Sequence, residues 1–135
     1  MVNKFFKNKK ILITGATGFK GAWLCQILSL FNSKILGIGY KPNKNQNLFN
    51  NLKLNNKIKL KYTDIRDYKK LSKIIKQFQP QIIFHLAAQP IIFQSYKDPY
   101  GTININSTGT LNVLDICKDL KSLKSIVCIT SDKCY

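Results

Sequence analysis

The chain has 135 residues, 44% hydrophobic and 21% charged, a balance that excludes wholesale disorder. Its 22 basic and 6 acidic residues give a formal net charge of +16. Arg66 is the only arginine, which argues against a nucleic-acid reader built on bidentate guanidinium contacts.

The first ten residues, M-V-N-K-F-F-K-N-K-K, carry charge but lead into no apolar stretch with a cleavage site, so no secretory signal is read there. No run reaches the length of a membrane span. The first strand is expected at Lys10–Thr14. It runs into T-G-A-T-G-F-K-G, Thr14 to Gly21. Gly15 suits the tight turn off the strand, Gly18 a close backbone approach to a pyrophosphate, and Gly21 the packing of the next helix on the sheet. The helix start would then offer unpaired N–H groups and a positive dipole end to the anion. Leu24, Ile27, Leu28 and Phe31 follow the helical period.

A second strand is expected at Lys34–Ile38. It ends in Gly39, Tyr40 and Lys41, without the acid that usually holds the ribose hydroxyls. NADP is therefore not excluded against NAD, and Lys41 suits a 2′-phosphate. Lys41–Lys57, rich in Asn and Lys, is expected to be a loop with a short helical turn at L-F-N-N-L. A third strand, Ile58–Tyr62, leads into T-D-I-R-D. There Asp64 is placed either to accept from an adenine amino group or to act as a helix-start acid. Asp67 is the natural cap for a helix carrying Leu71, Ile74, Ile75 and Phe78 on one face, with Pro80 beyond its end.

The fourth strand, Ile82–Leu86, contains His85, the sole histidine, and is followed by L-A-A-Q-P. His85 reads as a hydrogen-bonded core residue. Leu86, Ala87 and Ala88 are small or apolar enough for a flat ring to lie against backbone. Asp98-Pro99 opens the next helix, with Ile103, Leu111, Leu114 and Cys117 along one face. Its small-residue stretch S-T-G-T allows close packing. A fifth strand, Ile126–Thr130, delivers Ser131, Asp132 and Lys133. The cysteines Cys25, Cys117, Cys128 and Cys134 show no C-x-x-C spacing and no nearby histidine, which makes a zinc site or any other metal centre improbable. Three of them sit in apolar runs, suiting a reducing compartment, and the chain reads as cytoplasmic.

Strands alternating with helices predict an α/β fold. The expected architecture is a Rossmann-like, doubly wound parallel sheet of order 3-2-1-4-5, incomplete on its C-terminal side for want of a sixth strand. Residues 1–135 are read as one dinucleotide-binding domain, without a substrate-binding part.

T-G-A-T-G-F-K-G, D-I-R-D-Y, F-H-L-A-A-Q-P and T-S-D-K-C-Y together resemble the extended short-chain dehydrogenase/reductase superfamily, and within it the 4,6-dehydratases of CDP-glucose. The resemblance implies NAD as cofactor, held by Gly15, Thr17, Gly18, Phe19, Lys20, Gly21, Asp64, Ile65, Leu86, Ala87, Ala88 and Gln89. It implies a nucleotide-sugar substrate and no nucleic-acid or membrane partner, with a homo-oligomer for the full-length form. The implied reaction oxidises sugar C4, eliminates water across C5 and C6, and returns hydride to C6, giving CDP-4-keto-6-deoxyglucose. Ser131 would bond the C4 oxygen, Asp132 protonate the leaving hydroxyl and Lys133 act as the C5 base. The superfamily's Tyr-x-x-x-Lys pair is matched only at Tyr40–Lys44, where Pro42 disfavours a helix. The 135 residues alone are therefore expected to be inactive. Other readings are an epimerase or decarboxylase of the same superfamily, or a non-catalytic dinucleotide-binding module.

Overall fold

Aliphatic runs buried on both faces form the three central strands of the sheet, and two more exposed strands flank them. The computed structural model describes residues 2–42 and 48–130. Within them, β1 (Lys10–Thr14), β2 (Lys34–Gly39), β3 (Lys59–Tyr62), β4 (Ile82–His85) and β5 (Ser125–Cys128) form one sheet of order β3-β2-β1-β4-β5. Every pairing is parallel. The expected Rossmann-like topology is therefore observed, with strand ends within two residues of those read from the sequence.

The helices are α1 (Val2–Phe6), α2 (Phe19–Leu30), α3 (Leu48–Asn51), α4 (Tyr68–Phe78), α5 (Ile92–Lys97), α6 (Pro99–Ile103) and α7 (Gly109–Lys118), of which α2 and α3 cover one face of the sheet and α4 and α7 the other. Alternate residues of β1 serve opposite layers, as a pleated strand requires. Ile11 and Ile13 join Ala22, Cys25, Leu28 and Phe49 on one side. Leu12 joins Leu71, Ile75, Val113 and Ile116 on the other. The caps follow from local chemistry. Asp67 accepts from the Lys70 N–H at 3.0 Å and Asp98 from the Gly101 N–H at 2.8 Å, each satisfying an orphan donor of a first helical turn. The expected helical turn in the Asn-rich loop is present as α3, followed by a 3₁₀ turn at Leu54–Asn56.

Three features differ from the sequence reading. Helices α1 and α5 are additional, both too short to show a helical period. Ile27 lies 46% exposed, because α2 turns Gly21, Ala22, Cys25 and Leu28 to the sheet instead. The face drawn through Ile103, Leu111 and Leu114 is the outer one, Leu111 being 62% exposed. Between α6 and α7 the helix passes through a π turn at Asn104–Thr108. The wider turn breaks the 3.6-residue period, and Gly109, Val113 and Ile116 face inward. Among the described residues no helix is long and apolar enough to cross a membrane.

These faces predict opposite outcomes for two truncations. Ile75→Ala, at a fully buried site, is expected to lower the unfolding free energy by about 2–5 kcal/mol. Leu111→Ala is expected to change it by no more than about 0.5 kcal/mol. Urea unfolding followed by circular dichroism measures both, and equal losses would refute this assignment of faces.

Candidate functional site

The carboxyl ends of β1, β2, β3 and β4 bring the glycine loop, Tyr40, Asp64 and the L-A-A-Q-P segment to one edge of the sheet, the edge at which open α/β sheets bind ligands. Gly15 leaves β1 with φ +70°, in the left-handed region that glycine enters without strain. A side chain there would also collide with the Leu86 and Ala87 backbone, whose nearest atoms lie 2.8 Å from the Cβ position. At Gly21 a Cβ would collide with the carbonyl of Gly15. The turn, the first coil of α2 and the β4 loop thus pack backbone on backbone.

Gly18 is the N-cap of α2 in extended conformation and makes no side-chain cap. The first N–H groups of a twelve-residue helix are left without side-chain partners at the mouth of the loop. Phe19 and Lys20 stand exposed beside them, and Thr17 is half-buried against Gly39 at the end of β2. This cradle fits a pyrophosphate: open backbone, a positive dipole end and no carboxylate on the loop.

At the neighbouring strand ends, Asp64 accepts from the Tyr40 hydroxyl at 2.8 Å and the Arg66 N–H at 2.8 Å, and forms an ion pair with the Arg66 guanidinium at 2.6 Å. The Arg66 hydrogen bonds hold its carboxyl down at about 2, while burial and the Asp64 carboxylate push the Tyr40 phenol up. Asp64 is thus an ionised acceptor rather than a helix-start acid, the capping role falling to Asp67. Ile65 is buried against Gly109, and its carbonyl accepts from Asn112 Nδ2 at 3.0 Å. The Thr63 hydroxyl next to Asp64 is buried without a partner.

On the β4 loop, Leu86 and Ala87 are half-buried and Ala88 is exposed. The Gln89 side chain is engaged within the chain, donating to Thr102 Oγ1 at 3.0 Å and accepting from the Ile91 N–H at 2.7 Å. Asn106, in the π turn, bonds both backbone groups of Gln89, at 2.8 and 3.1 Å. His85 is buried and hydrogen-bonded at both ring nitrogens, to Thr14 and Thr110. Sequence reasoning missed Thr14, Asn106 and Asn112, whose roles depend on partners 17 to 73 positions away. Ser131, Asp132, Lys133 and Lys44 lie outside the described residues. Two clefts, of about 290 and 720 Å³, open at the opposite edge around Lys10 and Lys34, away from this constellation.

A model of the family described as GDP-mannose 4,6 dehydratase matches residues 12–135. The chain belongs to this family. The similarity to known proteins extends well beyond the glycine loop. CDP-glucose 4,6-dehydratase of Salmonella typhimurium is 39% identical across 100% of this chain and 38% of its own length. Among solved structures, Pal from Bacillus thuringiensis has a TM-score of 0.77 at 26% identity, over 90% of this chain and 39% of that one. UDP-glucose-4-epimerase from Stenotrophomonas maltophila, solved with bound NAD and formylated UDP-arabinopyranose, has a TM-score of 0.80 at 19% identity, over 93% and 38%. The latter likeness is one of fold. The chain spans 38–39% of the length of these three proteins.

The Asp64 arrangement predicts a measurable titration. Arg66→Met is expected to raise the Asp64 carboxyl from about 2 toward its ordinary 3.8, read by carbon NMR of that side chain. A carboxylate depressed on folding stabilises the native state above the unfolded value and loses that contribution as pH falls through the folded one. The parent should therefore resist acid between about pH 4 and 2 better than the variant. An unchanged Asp64 titration would remove Arg66 as the cause.

Proposed function

We propose that these residues are the dinucleotide-binding part of an NAD-dependent nucleotide-sugar 4,6-dehydratase whose substrate is CDP-glucose. The observation that carries the cofactor assignment is the uncapped start of α2 facing the Gly15–Gly21 cradle. The substrate assignment is supported by the 39% identity to CDP-glucose 4,6-dehydratase over the whole chain, and by the motifs L-A-A-Q-P and S-D-K-C-Y.

NAD, when bound, supplies the hydride acceptor and donor. The helix start and the Gly15–Gly21 backbone would hold its pyrophosphate, and Asp64 and the Ile65 backbone its adenine. The backbone of Leu86, Ala87 and Ala88 would lie along the nicotinamide half, with Phe19 and Lys20 at the rim. Gln89 contributes by fixing the loop to α6 rather than by reaching out. Tyr40 and Lys41 stand where a ribose-binding acid would favour NAD, so the preference over NADP rests on the family resemblance.

Roles for the remaining residues follow the same resemblance. Ser131 bonds the sugar C4 oxygen. With a ketone at C4, the C5 proton becomes acidic, and Lys133, as a free amine, removes it. Asp132, as a carboxylic acid, protonates the departing C6 hydroxyl. Adjacent residues serving adjacent carbons suit an elimination, provided that the lysine is neutral and the aspartate protonated when they act. A soluble biosynthetic setting and a homo-oligomeric full-length form belong to the same proposal.

Two measurements test it. Calorimetric titration of the chain with NAD is expected to show saturable binding that Gly21→Val abolishes. In a full-length form carrying these residues, Lys133→Ala is expected to abolish deuterium exchange at C5 of CDP-glucose while C4 oxidation persists. Undiminished exchange would remove Lys133 as the base, and failure to bind NAD or NADP would remove the cofactor reading.

A further inference from the structure

The one histidine of the chain has no part in the chemistry proposed above. It is nevertheless held at both ring nitrogens: Nδ1 lies 2.6 Å from Thr14 Oγ1 and Nε2 2.9 Å from Thr110 Oγ1. Thr14 is fully buried. Its hydroxyl oxygen also accepts from the N–H groups of Leu86 and Ala87, each at 3.2 Å, the Leu86 N–H being shared with the Thr14 carbonyl. Two acceptor lone pairs are thereby used, and the hydroxyl hydrogen has one place to go, the Nδ1 of His85. Nδ1 is then the bare nitrogen. The ring proton sits on Nε2 and is donated to Thr110. The series of bonds from α7 through β4 to β1 and the β4 loop is satisfied by this one tautomer.

We propose that His85 is a positioning residue for the dinucleotide site: by accepting from Thr14, it keeps that hydroxyl an acceptor for the Leu86 and Ala87 amides and so holds the L-A-A backbone against the Gly15 turn. The inference rests on the dinucleotide reading above. The contact being held is tight, since the Ala87 nitrogen and the Leu86 carbonyl carbon both lie 2.8 Å from where a Gly15 side chain would begin. Protonation of the ring puts a hydrogen on Nδ1. The Thr14 hydroxyl hydrogen then loses its acceptor, and its oxygen faces three donors with two lone pairs, so one loop amide is released. Dinucleotide affinity should therefore fall as His85 becomes charged.

Burial lowers the His85 pKa below its ordinary 6.5 and is its only resolved cause. The titratable groups on the packed elements are few. Cys128 is the register partner of His85 on β5, and α7 carries Asp115, Cys117 and Lys118. Asp115 is engaged with Tyr68 and Lys118. On β1, Lys10 stands at the far end of the strand, and β4 carries no other titratable residue. Asp132 and Lys133, which follow β5 in sequence, lie outside the described residues.

The test uses the 135-residue chain. Long-range proton–nitrogen NMR of its single histidine reads the tautomer, amide exchange reads the Leu86 and Ala87 bonds, and NADH fluorescence reads affinity against pH. The neutral ring is expected as the Nε2–H tautomer, with exchange at the Ala87 amide, whose N–H is held by the Thr14 hydroxyl alone, accelerating as it titrates. Affinity is expected to weaken by roughly three- to tenfold over the same range, the equivalent of about one net hydrogen bond. His85→Asn, whose Oδ1 stands near the Nδ1 position, should keep the neutral-pH affinity and lose the pH dependence. His85→Leu and Thr14→Val should weaken binding at every pH. An Nδ1–H tautomer, amide exchange indifferent to the titration, or a His85→Asn profile matching the parent would each overturn the proposal. A parent that binds neither NADH nor NADPH would sink the dinucleotide reading, and the positioning role with it. The tautomer and amide exchange would still show by themselves whether the hydrogen-bond series exists.

Discussion

The contact on which the rest of the site depends is the one between the Gly15 turn and the backbone of Leu86 and Ala87. It is made without side chains. Two strand ends that are neighbours in the sheet, β1 and β4, must release their chains in directions that cross at van der Waals distance. That is sterically open only because Gly15 has a positive φ and no Cβ. Once the crossing is made, α2 starts where its free N–H groups face the ligand edge. A side chain at this point would push the β4 loop away and misaim the helix together.

The opposite wall is set by α7 and the turn before it. Asn106 grips the β4 loop through both backbone groups of Gln89, and Asn112 grips the β3 loop through the carbonyls of Ile65 and Arg66. Two loops that would otherwise need their own internal order are tied to one helix. The π turn between α6 and α7 sits at the first of these grips. Such turns are frequent at functional sites, and here the turn carries Asn106 while Val113 and Ile116 below it face the sheet.

The strand positions and the glycine cradle were legible in the sequence because each rests on local chemistry, and the sheet order because alternating strands and helices wind a parallel sheet in few ways. Aliphatic runs between polar stretches mark strands that are covered on both sides, and three glycines at three-residue spacing mark a turn followed by a close-packed helix. The inward faces of α2 and α7 were less legible. Cys25 and Gly21 pack inward where Ile27 does not, since size and shape at the sheet decide the matter rather than hydropathy alone. The π turn interrupts the period from which the α7 face would be read. Thr14, Asn106 and Asn112 are polar residues whose meaning lies in long-range partners, and no spacing rule reveals such pairs.

The placement of the acidic residues bears on the glycine loop. All six acidic residues are aspartates, and the five among the described residues have tasks away from the glycine loop. Asp67 and Asp98 cap helices, Asp64 pairs with Arg66 and Tyr40, Asp115 with Lys118 and Tyr68, and Asp119 with Lys76. Surface pairs of this kind contribute little to stability, because solvent screens them. Their larger consequence is placement, since among the described residues no carboxylate is left unengaged beside the start of α2. The helix dipole acts over about one turn, and Lys20 stands within that turn. The field at the loop is therefore set by short-range geometry, while the excess of lysine elsewhere adds a diffuse field that salt screens within about 10 Å.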